Sequence, residues 1–117
     1  QGKEKTLWPE LTTLYPPRAD QPTQQELVDR LMFIQANEAA RCFEENVVRS
    51  VADANIGSIF GWGFAPHQGG ALQFINAMGV QRFVARSREL ARQHGARFEP
   101  AAILVQMAQE NRRFQDA

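Results

Sequence analysis

The chain has one cysteine, Cys42, in 117 residues. A single thiol cannot close an internal disulfide, which removes the disulfide-stapled secreted class and fits a reducing cytoplasm. No apolar run approaches the roughly 20 residues that span a bilayer. The polar opening Gln1-Gly2-Lys3-Glu4-Lys5 has no secretory pattern and, lacking Met, is expected of a piece cut from something longer. Charge of one sign is missing too. Thirteen Lys and Arg balance 13 Asp and Glu, so nucleic acid and anionic membranes are poor partners. No stretch alternates apolar and polar residues over a useful length, and no repeat or low-complexity tract occurs. That leaves one all-helical domain with a single core.

What is present is uneven. Residues 1–79 hold 6 Lys/Arg against 9 Asp/Glu, a net of −3, while residues 80–117 hold 7 against 4, a net of +3. Residues 1–22 form an extended lead-in broken by Pro9, Pro16, Pro17 and Pro22. Its Leu7, Trp8, Leu11, Leu14 and Tyr15 are too apolar for a free linker and are expected to lie across the domain surface. The helical domain occupies 23–117, a compact bundle of about five helices. Thr23 with Glu26, and Ser50 with Asp53, are capping boxes that open the first two helices. The first keeps a helical period through Leu27, Leu31 and Ile34, then Glu38, Ala39, Cys42 and Phe43, to about 45. The second runs through Ala54 and Ile59 into a glycine-rich window. A third is predicted over 70–78 with Leu72, Ile75 and Phe74 inward, and a fourth over 80–94 ending at Gly95 in the left-handed conformation. Pro100 suits the first turn of a fifth, which carries Ile103, Leu104 and Met107 to about 111.

The window Phe60-Gly61-Trp62-Gly63-Phe64-Ala65-Pro66-His67-Gln68-Gly69-Gly70 is the densest signal in the chain. Glycine is costly in helical surroundings, so such density is kept where backbone must pack or bend tightly. Gly61-x-Gly63 is not a dinucleotide loop. The third glycine of that pattern would fall on Pro66, and no β-run precedes it. His67 is a loop histidine that caps the next helix or bonds backbone, because nothing nearby nominates an orienting partner for acid–base work. Asn37 and Glu38 sit mid-helix among apolar neighbours and call for a buried or interfacial bond. Cys42 has no histidine near it and reads as an inert core thiol. Arg82 and Arg86, Arg88 and Arg92, with Arg97 beyond, make the fourth helix basic. Three uses stay open for it: a solvated face, docking to an acidic surface, or contact with coenzyme A phosphates.

Four segments together carry a resemblance: Glu26-Leu27-Val28-Asp29-Arg30, Asn37-Glu38-Ala39-Ala40-Arg41-Cys42-Phe43-Glu44-Glu45, the glycine window, and Phe74-Ile75-Asn76-Ala77-Met78-Gly79. The chain resembles the C-terminal domain of 3-hydroxyacyl-CoA dehydrogenases, in the second copy found in multifunctional fatty-acid oxidation proteins. The resemblance covers about 23–104 and implies a fold like the 6-phosphogluconate dehydrogenase C-terminal domain. His67-Gln68-Gly69-Gly70 matches the second copy, where the first has Pro-x-Gly-Pro. It further implies a parent that hydrates trans-2-enoyl-CoA and then oxidises 3-hydroxyacyl-CoA with NAD. The family's catalytic copy carries Asn where this chain has Asp29, and its His–Glu pair belongs to the NAD-binding domain. An ionised carboxylate cannot donate a hydrogen bond to a developing oxyanion.

This chain alone is therefore expected to be inactive, to bind no cofactor or metal, and to pack against the first C-terminal copy and the NAD-binding domain of its parent. Phe60, Trp62, Phe64, Phe74, Ile75 and Met78 are the expected interface, and in isolation they should drive homodimerisation.

Overall fold

The structure is a computed structural model, and it describes residues 5–115. Residues 1–4, part of the expected lead-in, lie outside that range. One short turn of helix, α1 (Leu11–Leu14), lies within the lead-in and buries nothing. Both predicted N-caps form, each with its side-chain oxygen bonded to the N–H three residues on. Thr23 Oγ1 accepts from the Glu26 N–H at 3.1 Å and opens α2 (Gln24–Glu44). Ser50 Oγ accepts from the Asp53 N–H at 3.0 Å and opens α3 (Val51–Trp62). Each such cap contributes about 1 kcal/mol by satisfying a donor the helix cannot. Gly63 closes α3 in the left-handed region at φ 77, ψ 33.

A 3-10 turn over Pro66–Gln68 leads to α4 (Ala71–Met78), and the lone Gly79 separates it from α5 (Val80–His94). Gly95 ends α5 as expected, but at φ 101 and ψ 170 instead of the left-handed helical region. The last helix, α6 (Ala102–Gln109), starts later than predicted. Pro100 lies ahead of its first turn, because Glu99 and Ala101 are both extended, with ψ 132 and 148. The residue before a proline is steered away from helix, which accounts for Glu99. Among the described residues there is no strand.

The core is aromatic at its centre. Phe33 of α2 stacks on Phe83 of α5 with ring centroids 4.3 Å apart, and Phe74 of α4 meets both edge-on at 5.8 and 6.1 Å. Phe64 closes the group against Phe74. Leu72, Ile75, Leu90 and Leu104 fill in around it with no exposed surface. One polar knot crosses this interior. Asn37 donates from Nδ2 to Ser87 Oγ at 2.7 Å, and Ser87 donates to the Phe98 carbonyl at 2.6 Å, joining α2, α5 and the turn after it.

Two expectations are corrected here. The lead-in does not lie across the domain: Leu7, Trp8, Leu14 and Tyr15 stay 55–79% exposed. Its four prolines hold the chain extended, and a four-residue helix has too little length to anchor it. The apolar period of α2 is also divided between two faces. Phe33, Ala36, Ala39 and Ala40 turn inward, whereas Leu27 and Leu31 face out at 44% and 65% exposure.

Candidate functional site

The helix pair α2 and α3 carries the exposed apolar surface of the folded body. Ile56, Phe60 and Trp62 of α3 are 57%, 85% and 55% exposed, and Leu31 of α2 adds to them. Between the two helices runs an open groove of about 400 Å3, walled by Ile34, Ala39, Cys42, Ala54, Gly57 and Trp62. The Trp62 indole N–H donates to Gln35 Oε1 at 3.0 Å and so ties the two helices at one end. Small residues make this groove possible, since Gly57 and Ala54 keep the α3 backbone free of bulk. A Cβ at Gly57 would meet nothing within 4 Å. The domain's own packing therefore does not require glycine there.

The six expected interface residues do not form one patch. Phe60 and Trp62 are exposed as proposed. Phe64 and Ile75 are 1% and 0% exposed and belong to the core, with Phe74 and Met78 partly buried against it. The reason is rotational. Phe60 points away from the groove and Trp62 stands at its end beside Gln35, while the turn after Gly63 sends Phe64 inward, its N–H bonded to the Ser58 carbonyl. Leu31 and Ile56 are surface residues that sequence reasoning missed. Leu31 carried a signal, its place in the apolar period of α2.

The glycine window has a definite task at its far end. The N-terminus of α4 has no cap of its own sequence. Instead Ser58 Oγ accepts from the Ala71 N–H at 3.0 Å, and Asn55 Oδ1 accepts from the N–H groups of Leu72 and Gln73 at 3.0 and 2.9 Å. Three orphan donors are thus satisfied across the helix junction. His67 lies exposed in the 3-10 turn and takes no part, which corrects its expected role as a cap. Gly61 is helical within α3 and Gly63 ends it, so no glycine loop is left to cradle phosphates.

Asp29 is engaged, not free. Its Oδ2 lies 2.8 Å from Arg86 Nε, and its Oδ1 accepts from Gln25 Nε2 at 2.8 Å. Arg86 also holds Glu89 at 2.9 Å. The bond to Glu89, then the bond and charge of Asp29, raise the Arg86 guanidinium above its ordinary value against the opposing effect of burial. The charged partner of Asp29 thus lies 57 residues away in the sequence. Arg86 is accordingly lost to any phosphate site. Arg82, Arg88 and Arg92 are exposed and carry no ion pair among the described residues.

No protein-family model matches this chain. His94 Nε2 lies 3.1 Å from Glu26 Oε1, a pair the sequence did not nominate. The cleft beside it is lined by Arg18, Asp20, Gln21, Pro22 and Arg30, with no hydroxyl or thiol nucleophile among them. Glu38 is exposed and pairs with Arg41 at 3.3 Å. Cys42 is half-buried in the groove wall, so the expected core thiol is a groove thiol. No cluster of three metal-binding side chains occurs among the described residues, and no helix is long and apolar enough to cross a membrane.

Proposed function

We propose that this chain is a packing domain, the second C-terminal helical copy of a multifunctional fatty-acid oxidation protein with enoyl-CoA hydratase and NAD-dependent 3-hydroxyacyl-CoA dehydrogenase activities. The observation that carries the packing role is the set of uncovered apolar side chains along α2 and α3, namely Leu31, Ile56, Phe60 and Trp62. Solvated apolar side chains of this size, grouped along one helix pair, mark a contact surface. The four quoted motif segments carry the placement in β-oxidation. In this role the domain buries the α2–α3 face against the first copy and holds the dehydrogenase cleft in shape, preorganising it without supplying a reacting group. Asp29 suits such a part. Held by Arg86 and Gln25, it braces α2 against α5 and is not poised at a substrate.

Coenzyme A binding on α5 is the weaker reading, because Arg86 is committed to Asp29 and Glu89 and three separate exposed arginines remain.

Two outcomes test the proposal. Light scattering on the purified chain should give a mass near twice 13.2 kDa as concentration rises. Phe60→Asp should move that transition to at least tenfold higher concentration, roughly 1.4 kcal/mol of association, with its thermal melt unchanged. A monomer throughout the series would overturn the packing role. NADH oxidation with acetoacetyl-CoA should stay at background for this chain alone, and turnover above that level would return catalysis to it.

A further inference from the structure

Two apolar features of this chain lack a cover, and they match. The first is the lead-in. Its apolar residues fall at 7, 8, 11, 14 and 15, and among them Leu11–Leu14 forms a turn of helix. Leu7, Trp8, Leu14 and Tyr15 are exposed by 79%, 55%, 58% and 74%. The second is the groove between α2 and α3, about 400 Å3, with Trp62 at one end.

We infer that the groove of one copy receives the lead-in of a second copy, so that two chains exchange these segments reciprocally. The inference rests on the packing role above and names the segment that fills the face. Area favours it. Four lead-in side chains, with Trp62 at the groove, leave 55–79% of each residue uncovered. That is on the order of 1,000 Å2 per chain, so two reciprocal sites reach the roughly 1,200–2,000 Å2 of a stable interface. Neither feature alone reaches it.

Gly57 points the same way. A glycine inside a helix costs about 1 kcal/mol relative to alanine, and a Cβ there meets nothing in its own chain. Close approach of a large side chain from another copy accounts for its smallness. Charge agrees as well: Lys5 stands two residues before Leu7, and the exposed Asp53 carboxylate sits at the groove rim without an ion pair among the described residues. The direction of the lead-in favours the second copy over its own groove. Arg18, Asp20, Gln21 and Pro22 border the cleft with Glu26, Arg30 and His94, on the flank of α2 that meets α5. The groove lies on the flank that meets α3.

The test uses the full chain and two variants that leave the core untouched. Trp8→Asp spoils the lead-in, and Gly57→Leu fills the groove. Each alone should raise the dimer dissociation constant at least tenfold in light scattering, with the thermal melt unchanged for Trp8→Asp and no lower than the wild type for Gly57→Leu. An equimolar mixture should dimerise more tightly than either variant, because the Trp8→Asp copy keeps its groove and the Gly57→Leu copy keeps its lead-in. A mixture no tighter than its components overturns the exchange and assigns the lead-in to its own groove. A Trp8→Asp dimer as tight as the wild type, beside a weakened Phe60→Asp dimer, overturns the exchange but leaves the packing role standing. A wild-type monomer at every concentration overturns both.

Discussion

Gly70→Ala is expected to cost roughly 3 kcal/mol or more, the largest loss from adding a single methyl group anywhere in the glycine window. Two effects add. The residue has φ 109 and ψ 170, a conformation reserved for glycine. Its Cβ would also lie 2.5 Å from both Cα and Cβ of Asn55 and 2.7 Å from Asn55 Oδ1. Asn55 is mid-helix in α3 and its backbone cannot yield, so α4 must move. Moving α4 pulls the N–H groups of Ala71, Leu72 and Gln73 away from Ser58 and Asn55, and three caps weaken together. Against a domain stability of about 5–15 kcal/mol, this is a large fraction. Urea unfolding of the wild type, Gly70→Ala and Gly57→Ala is the measurement. Gly57→Ala should go the other way, gaining about 0.5–1 kcal/mol, since the helix gains a better former and the new methyl meets nothing. Equal midpoints for the two alanine variants would mean that the close α3–α4 approach contributes nothing.

Asn37→Asp should be comparably damaging and, unlike the glycine change, should depend on pH. Asn37 is fully buried and donates to Ser87 Oγ at 2.7 Å and toward the Phe98 carbonyl at 3.5 Å. Its Oδ1 already has no donor among the described residues. An aspartate would turn a donor into a second acceptor beside two oxygens and bury a charge without a counter-ion. The expected loss at neutral pH is about 3–5 kcal/mol. Burial would raise the folded-state pKa of that carboxyl above its unfolded value. The variant is then favoured below the ordinary carboxylate range, where it is protonated and can donate, and loses stability as pH rises through the raised folded value. Urea midpoints of wild type and variant, compared at about pH 4 and pH 7, test this. A deficit of the same size at both would show that shape, not charge, governs the site. Asn37→Leu separates the two further, since it removes the donor without adding a charge.

Much of this fold is legible locally. Thr23 and Ser50 announce their helices because each cap bonds an N–H three residues on, within the same segment. Gly79 and Gly95 mark real ends for the same reason. The candidate site was only half visible. Phe60 and Trp62 were identified as exposed apolar residues, yet Phe64 and Ile75 looked equivalent to them and are core. Composition says that a residue is apolar and not which element stands in front of it.

By itself, then, the sequence determined an all-helical chain, the start of two helices by capping, and the ends of two by glycine. Those features rest on bonds and backbone preferences spanning about four residues. The tertiary structure alone decided which stripe of α2 turns inward, that α3 lends Ser58 and Asn55 to cap α4, that Arg86 answers Asp29 from 57 positions away, and that the lead-in stands off the domain with its leucines and Trp8 uncovered. These depend on the rotation and spacing of packed helices. That setting is chosen by the whole aromatic core at once, through contacts between residues distant in sequence.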